Sequence, residues 1–316
     1  MFNIAIIGAG QLGSRHLQGL KNSNMSMHIF VIDNNKESLE VAKERYESLP
    51  VNSNQIVEYY HNIDQLPNSL DFVVIATGSK PRAAIIKSLL NHSDVKHLIL
   101  EKVLFPRLNE YDEIGQLLKN KHIPSWVNCP RRMYGMYQDI KNRIDTCSPI
   151  SMISQGNDWG LCCNSIHIID IFMFLTGEKT YTITHLDLEN SIIESKRPGY
   201  IEFYGNILIE TPRGHKLTLK CGRGEYEPLK EIKYGNNIIK IQEENGLWTF
   251  NNESYVYKLP YQSQLTGLLA DITLSIGYCP LTPYENSAEY HKPFIKAILN
   301  HYNKIKGINS DLCPIT

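Results

Sequence analysis

Residues 3–20 read NIAIIGAGQLGSRHLQGL, and this stretch decides the fold of the first part of the chain. It begins as an apolar run, as in a strand buried on both faces, and ends with the apolar spacing of a helix. Gly8, Gly10 and Gly13 lie at the junction in a G-x-G-x-x-G pattern. In such a unit the first glycine permits a sharp turn, the second admits a diphosphate, and the third lets the helix pack against the sheet. The pattern predicts a dinucleotide at the amino end of the helix, where free N–H groups face its phosphates.

An acidic residue stands at the end of the next apolar run. The run MHIFVID, residues 27–33, ends on Asp33, which is 20 residues beyond Gly13. A carboxylate here can accept hydrogen bonds from the adenosine ribose hydroxyls of NAD, and it would repel the 2′-phosphate of NADP. The sequence therefore predicts NAD in preference to NADP, with Gln11 and Leu12 in the turn that receives the diphosphate. The alternative is an ordinary turn followed by Asp33 as a helix cap.

The order of strand-like and helix-like segments predicts two domains. Their regular alternation over residues 1–125 predicts a Rossmann fold, which is a doubly wound parallel sheet with helices on both faces. From about Tyr181 to Lys258 the pattern changes to short β-type runs separated by turn signals, as in an open, mostly antiparallel sheet. We therefore expect an α/β protein in which residues 126–316 form an α+β domain for substrate binding and oligomerisation. We expect the last helix to pack on the first domain.

The composition narrows the class of protein. The 316 residues include 32 Lys and Arg against 33 Asp and Glu, a balance that argues against nucleic acid as a partner. No apolar run reaches the roughly 20 residues of a membrane span. Seven cysteines without a C-x-x-C pair, and a glycine pattern that begins almost at Met1, favour reduced thiols in a cytoplasmic protein. Cys162 and Cys163 are adjacent on a predicted helix and diverge, so we expect no metal site.

Further segments resemble one family of oxidoreductases. The glycine pattern extends to His16, and DFVVIATG (71–78) resembles the family's strand beside the nicotinamide ribose. The family's E-K-P motif is similar to HLILEKV (97–103). Its entry into the second domain is similar to VNCPRRMYGMYQDIKNRI (127–144). Its H-x-x-D helix is similar to NSIHIIDIFMFLTGE (164–178). The chain thus resembles the Gfo/Idh/MocA family of glucose–fructose oxidoreductase and inositol dehydrogenase. The resemblance implies an NAD(P)-dependent oxidoreductase acting on the CH–OH groups of sugars or polyols, usually a homodimer or homotetramer.

The resemblance assigns residues near the nicotinamide. It implies that Thr77, Glu101 and Lys102 belong to the cofactor site, and that the Lys102 ammonium holds the substrate oxygen and assists proton transfer. An ammonium can stabilise charge on an oxygen whose carbon gives or takes hydride. The family's proline after this lysine is Val103 here, so the local turn can differ. The alternative reading of Glu101 and Lys102 is an ordinary solvated pair.

The H-x-x-D segment supplies the second predicted catalytic residue. His167 and Asp170 lie about one turn apart on a predicted helix, and an imidazole titrates near neutrality, as a base or acid at a hydroxyl requires. The resemblance implies that His167 binds substrate and moves its proton; a histidine buried in the core is the alternative. Many members carry Asp at the position of Cys163, so the usual arrangement is incomplete here. Asn164 can bind a hydroxyl, and Asp158 is a candidate substitute for the carboxylate.

Cationic and aromatic residues follow the domain junction. We predict that Arg131 contacts a carboxylate or phosphate of the substrate, although helix starts of this kind are often merely solvated. Arg82 is expected to line the nicotinamide side, and Trp159 to stack on a sugar ring or to pack in the core. The cluster past the junction contains Arg131, Arg132, Tyr134 and Tyr137.

The sequence predicts hydride transfer between nicotinamide and the hydroxyl or carbonyl carbon of a sugar, a sugar derivative or a nucleotide-sugar. The alternative is an NAD-binding sensor or regulatory protein without turnover, an alternative that the residue at position 163 supports. A third hypothesis keeps the enzyme but gives it a carbonyl or imine substrate that is not a carbohydrate. The sequence alone specifies neither the substrate nor the direction of hydride transfer.

Overall fold

The computed structural model describes residues 1–316. The chain forms two units. The units contain the following ranges: Met1–Phe105, Asn109–Asn128 and Pro260–Tyr284 in the first, and Pro106–Leu108, Cys129–Leu259 and Glu285–Thr316 in the second. This division differs from the predicted domains, 1–125 and 126–316, chiefly because residues 260–284 belong to the first unit. Most of the last helix belongs to the second unit.

The regular elements alternate as the sequence predicts in the first half. The helices are α1 (Gln11–Leu20), α2 (Lys36–Glu47), α3 (Ser79–His92), α4 (Leu108–Asn120), α5 (Gly135–Arg143), α6 (Leu161–Thr176), α7 (Gln262–Ile276) and α8 (Tyr284–Lys306). The strands are β1 (Phe2–Ile7), β2 (Met27–Ile32), β3 (Gln55–Tyr60), β4 (Ser69–Leu70), β5 (Phe72–Ile75), β6 (Asp94–Val95), β7 (Leu98–Leu100), β8 (Ser125–Val127), β9 (Ile150–Asn157), β10 (Thr182–Leu188), β11 (Ile193–Glu194), β12 (Ile201–Glu202), β13 (Gly205–Glu210), β14 (Lys216–Gly222), β15 (Leu229–Tyr234), β16 (Asn237–Gln242), β17 (Leu247–Phe250), β18 (Glu253–Val256) and β19 (Thr282–Pro283). None of the helices combines the length and the apolar character that a membrane crossing requires.

The sheet of the first unit is the predicted Rossmann sheet. Its order is β19-β8-β7-β5-β1-β2-β3, and all its pairs are parallel except β19 with β8. The order proceeds outward in opposite directions from the neighbours β1 and β5, which is the switch point of a doubly wound sheet. Ile7 pairs with Ile32 and with Ile75, so β1, β2 and β5 end at one level. This register brings Gly8 and Asp33 to the same edge of the sheet.

Helix α7 packs against the first helix of the chain. The contact between α1 and α7 depends on two glycines. A Cβ atom at Gly19 would lie 2.9 Å from Cβ of Thr266, and a Cβ atom at Gly267 would lie 2.5 Å from the carbonyl oxygen of Gly19. Because neither position has room for a side chain, the two backbones approach closely.

The sheet of the second unit is open and mostly antiparallel, as predicted. Its order is β10-β13-β14-β9-β15-β16-β17-β18, and the one parallel pair joins β14 to β9. Strand β9 lies in the middle of the sheet, although the sequence analysis did not predict it. Burial alternates along this strand, and the signal available in the sequence was the apolar–polar–apolar order of Ile150, Ser151 and Met152 at its start. Alternate residues of the other strands are also buried, including Ile207, Ile209, Leu217, Leu219, Ile232 and Ile239.

The helix predicted after the domain junction is divided in two. A short 3-10 helix, Pro130–Met133, precedes α5, and Tyr134 between them is extended, with φ of −67° and ψ of 129°. Gly135 then begins α5, and a Cβ atom at this position would lie only 3.1 Å from the ring of Tyr257. The apolar periodicity of the segment does not show a single residue leaving the helical conformation, so this break was not predicted.

Candidate active site

The three glycines of the first turn have different steric surroundings. Gly8 has φ of +94°, and a Cβ atom there would lie 2.8 Å from the backbone nitrogen of Thr77. A Cβ atom at Gly13 would lie 1.7 Å from the carbonyl oxygen of Gly8. At Gly10, by contrast, no atom lies within 4 Å of the Cβ position. The fold itself therefore requires Gly8 and Gly13, whereas Gly10 faces open space that a ligand can occupy.

Asp33 is held rigidly at the end of β2. Its Oδ2 accepts a hydrogen bond of 2.6 Å from the N–H of Ala9, and its Oδ1 accepts one of 2.9 Å from the N–H of Asn35. The Asn35 side chain in turn caps α2 through the N–H of Ser38, at 3.0 Å. These bonds join the carboxylate to the glycine turn and keep it at the carboxyl edge of the sheet.

The first turn of α1 also meets a cation that sequence reasoning missed. Arg45 of α2 donates hydrogen bonds to the Gln11 side chain at 2.8 Å and to the Ser14 hydroxyl at 2.6 Å. Gln11 is exposed and Leu12 is half-buried. The i,i+3 and i,i+4 pattern of each helix gives no sign of this contact, because it joins residues more than thirty positions apart. A guanidinium beside the amino end of α1 adds positive charge where an anionic diphosphate would bind.

A buried hydroxyl without a hydrogen-bond partner lies at the carboxyl edge of the first sheet. The hydroxyl oxygen of Thr77, just after β5, is buried and makes no hydrogen bond. A buried hydroxyl in this condition is costly unless a ligand or water completes it. Together with the space at Gly10 and the fixed Asp33 carboxylate, this atom shows that the edge fits a dinucleotide.

Glu101 and His16 are the centre of a buried polar network in the first unit. The Glu101 carboxylate accepts a hydrogen bond of 2.9 Å from Nε2 of His16 and one of 2.5 Å from the Asn128 side chain. Nδ1 of His16 lies 2.9 Å from the hydroxyl of Thr266 on α7. Burial alone would raise the pKa of Glu101, but His16, Asn128 and the Lys102 ammonium lower it below its ordinary value. Glu101 is thus an ionised carboxylate, held by hydrogen bonds at the end of β7.

Lys102 follows Glu101 and is only 9% exposed. Its positive charge contributes to the lowered pKa of the adjacent Glu101 carboxyl, so the two charges are close. The peptide bond between Lys102 and Val103 is cis. The arrangement is unlike the solvated pair that the sequence left as an alternative, since both side chains are buried.

Arg82 has a structural role that differs from the one expected. Its guanidinium is fully buried and donates to the carbonyl oxygens of Val103, of Leu104 at 2.8 Å, and of Thr77. It therefore fastens the segment after Lys102 to the end of β5. The sequence could not show these contacts, because the three carbonyl oxygens belong to the backbone.

In the second unit, α6 carries His167 and Asp170. His167 is half-buried, while the Asp170 carboxylate is almost fully buried and accepts two hydrogen bonds from Arg132, at 3.1 and 3.0 Å. This two-point ion pair fastens the 3-10 helix to α6. The second residue of the H-x-x-D segment is thus bound to an arginine.

Arg131 belongs to an internal charge cluster. Its Nε donates to the Glu243 carboxylate, which also accepts from Lys230 and, at 2.9 Å, from the Tyr137 hydroxyl. Burial would raise the pKa of Glu243, but the charges of Arg131 and Lys230 lower it to about 2. The predicted substrate-binding arginine is therefore paired with a carboxylate 112 positions away, which the sequence could not show.

The remaining predicted residues meet near the start of α6. The Asn164 side chain donates to the carbonyl oxygen of Trp159 at 2.5 Å, and the Trp159 indole donates to the carbonyl oxygen of Lys220 at 2.8 Å. Asp158, the candidate substitute carboxylate, is exposed and accepts a hydrogen bond from Tyr204. The Trp159 ring is half-buried and fixed by its own N–H group.

Cys163 lies beside a carboxylate that the sequence analysis did not consider. Glu202 of β12 accepts hydrogen bonds from the N–H groups of Cys162 at 2.6 Å and of Cys163 at 3.1 Å. Burial, with the nearby Glu202 charge, raises the pKa of the Cys162 thiol well above its ordinary value. No three histidine, cysteine, aspartate or glutamate side chains converge as metal ligands would.

Comparison with known proteins relates the first part of the chain to a family of oxidoreductases. The profile of an oxidoreductase family with an NAD-binding Rossmann fold, GFO_IDH_MocA, matches residues 2–129. The Salmonella typhimurium protein YceM, which carries an oxidoreductase name, is 22% identical over 129 residues. That match covers 38% of this chain and 41% of YceM, so the chain spans about two fifths of this relative's length.

Solved structures share the fold over nearly the whole chain. UDP-N-acetylglucosamine 3-dehydrogenase GnnA from Acidithiobacillus ferrooxidans has 14% identity and a TM-score of 0.68, covering 94% of this chain and 96% of GnnA. An Agrobacterium radiobacter oxidoreductase in complex with NAD+, L-tartaric acid and magnesium has 16% identity and a TM-score of 0.66, covering 93% and 94%. Residues 2–129 therefore match the NAD-binding Rossmann domain of the Gfo/Idh/MocA family of oxidoreductases, and the solved structures show that the whole chain shares their fold.

Proposed function

We propose that this chain is an NAD-dependent oxidoreductase that interconverts a hydroxyl and a carbonyl group on a sugar, a sugar derivative or a nucleotide-sugar. The main support is the geometry at the carboxyl edge of the first sheet, where open space at Gly10 adjoins the rigid Asp33 carboxylate. The sugar-like substrate class is supported by the structural relatives, one of which is a UDP-N-acetylglucosamine 3-dehydrogenase and another a myo-inositol dehydrogenase candidate.

The first unit supplies the residues that would hold the dinucleotide. The turn of Gly8, Gly10, Gln11, Leu12 and Gly13 offers backbone N–H groups to the diphosphate. Asp33 accepts hydrogen bonds from the adenosine ribose. Thr77 and Glu101 complete the nicotinamide end, where the Thr77 hydroxyl still lacks a partner. When bound, NAD supplies the acceptor or donor of a hydride.

Side chains of the protein would transfer the substrate proton and stabilise the charge on the reacting oxygen. Lys102 donates a hydrogen bond to the reacting oxygen and stabilises the negative charge that develops on it, an effect strengthened by burial. His167 accepts the hydroxyl proton in the oxidation and returns it in the reduction. Asn164 binds a further hydroxyl. Arg131 keeps its predicted contact with an anionic substrate group through nitrogen atoms other than the one that binds Glu243.

We expect the variant Asp33→Ala to bind NAD about thirtyfold more weakly, because it loses hydrogen bonds to a charged group. Its preference for NAD over NADP should fall too, since the charge that repels a 2′-phosphate is gone. Calorimetry with NADH and NADPH measures both effects. Asp64→Ala, at an exposed acid of the first unit, is the control and should bind like the parent chain. Unchanged selectivity in Asp33→Ala would remove the ribose role of Asp33.

The activity is tested with a defined set of substrates. Purified protein is mixed with NAD+ and, in separate reactions, with myo-inositol, D-glucose or UDP-N-acetylglucosamine, and NADH formation is followed by absorbance. Calorimetry with NADH on the same preparation shows whether the dinucleotide binds. Binding with turnover of at least one substrate supports the proposal. Binding without any turnover favours the sensor instead, and no binding by folded protein contradicts both.

A further inference from the structure

Glu202 places a carboxyl group at the beginning of α6 from a distant part of the chain. Its two oxygens accept the N–H groups of Cys162 and Cys163, about 40 positions earlier in the sequence. Burial raises the pKa of Glu202, although the bonds from these two cysteines limit the rise. The titratable groups that face it are the thiols of Cys162 and Cys163 on α6 and of Cys221 on β14.

The polar side-chain atoms of three residues converge beside Gly160. A Cβ atom at Gly160 would lie 2.9 Å from Sγ of Cys163, 3.2 Å from Nδ2 of Asn164 and 3.4 Å from Oε1 of Glu202. Gly160 has φ of +74°, a conformation that favours glycine. Each of these side chains is half-buried, so the group is walled by protein and still accessible.

The same face of α6 continues to His167. Cys163 and His167 are four residues apart, and Asn164 and His167 three, so these side chains are neighbours on the helix surface. Two other carboxylates near α6 have partners of their own. Asp170 accepts hydrogen bonds from Arg132, and Asp158 accepts one from Tyr204. Glu202 is therefore the carboxylate bonded to the amino end of α6, about one helical turn before His167.

We propose that Glu202 is a substrate-binding residue that accepts a hydrogen bond from a hydroxyl next to the reacting one, so that the site selects polyols. The proposal rests on the proposed function and specifies its substrate as a compound with neighbouring hydroxyl groups. The thiol of Cys163 is a weak donor, and a substrate hydroxyl is a stronger one that replaces it at the carboxylate. Asn164 borders the same point and orients the incoming group.

The kinetic test uses whichever polyol of the substrate set is turned over. In the parent chain kcat/KM should increase as pH increases through the pKa of Glu202, because the ionised carboxylate accepts a much stronger hydrogen bond than the protonated carboxyl group. Glu202→Gln should lose this dependence and lower kcat/KM about thirtyfold, mainly through KM. The double variant Cys163→Asp with Glu202→Gln returns a carboxylate to the site and should recover most of the loss. Glu227→Gln, at an exposed position of the same unit, is the control.

A second readout needs neither cofactor nor substrate. Ionised Glu202 opposes formation of the Cys163 thiolate, so Glu202→Gln should be alkylated by iodoacetamide at Cys163 about tenfold faster. Peptide mass spectrometry follows this rate, with exposed Cys147 as the internal reference. If Glu202→Gln does not fold, Glu202→Asp keeps the charge at α6 but withdraws it from Gly160, and should still lower kcat/KM.

The outcomes separate the two proposals. If the parent chain binds NADH but turns over no substrate, the proposed function fails, and calorimetry with myo-inositol then decides whether Glu202→Gln loses polyol binding. A lower melting temperature with an unchanged pH profile and no recovery in the double variant would show that Glu202 only caps α6, and would overturn the inference. An unchanged alkylation rate at Cys163 would also overturn it.

Discussion

Replacing Lys102 with methionine is expected to lower kcat about a thousandfold while the affinity for NADH stays within a few-fold of the parent value. Methionine keeps much of the volume of the lysine stem but has no ammonium to stabilise charge on the reacting oxygen. The hydrogen bonds of Glu101 with His16 and Asn128 do not involve this side chain, so the edge of the sheet should keep its form. Steady-state kinetics give kcat, and calorimetry gives the NADH affinity.

The control for this prediction is Lys96→Met. Lys96 is an exposed lysine of the same unit that pairs with Asp71 at 2.8 Å, and its loss should leave kcat unchanged. Thermal melting of both variants shows whether either one disturbs the fold. A Lys102→Met protein with kcat close to that of the parent chain would exclude Lys102 from the catalytic residues.

The second large effect is expected for Gly13→Ala. A Cβ atom at this position would lie 1.7 Å from the carbonyl oxygen of Gly8, so α1 must move away from the glycine turn. Overpacking of this severity costs about 3 kcal/mol or more in the free energy of unfolding. The N–H groups at the start of α1 move with the helix, and NADH binding should weaken at least about a hundredfold, since several charge-assisted bonds are lost.

Gly10→Ala is the matched comparison for Gly13→Ala. No atom lies within 4 Å of its Cβ position, so the melting temperature should not change. Its NADH affinity should nevertheless fall, because the new methyl group occupies the space that the diphosphate needs. Chemical denaturation and calorimetry on the two variants separate a steric need of the fold from a steric need of the ligand. A Gly13→Ala protein with parent stability and affinity would contradict the assigned roles.

The first unit was largely predictable because its signals are local. The apolar run before Gly8, the glycine spacing and Asp33 all lie within one strand–helix–strand segment, and the parallel register then brings them together. Local periodicity does not show which distant element covers a helix. The return of α7 to α1 therefore escaped prediction, although Gly19 and Gly267 are the small residues that such a crossing needs.

The second unit was less predictable because its functional contacts are long-range. Glu202 and Glu243 reach their partners across many tens of residues, and neither belongs to a motif. The sequence shows that Cys163 departs from the family pattern, but it cannot show which carboxylate lies beside it. Arg82 and Arg131 look like ligand-binding cations in the sequence, which gives no sign of the partners that packing provides for them within the protein.

The crossing of α1 and α7 has a consequence for biosynthesis. Thr266 and Gln262 close the network around His16 and Glu101, yet they emerge from the ribosome more than 130 residues after Asn128. Until then the face of α1 that packs against α7 is uncovered in the nascent chain. His16 and Asn128 then lack their contacts with α7. The dinucleotide-binding half therefore matures late in translation, and a fragment that stops at Asn128 lacks the helix that seals it.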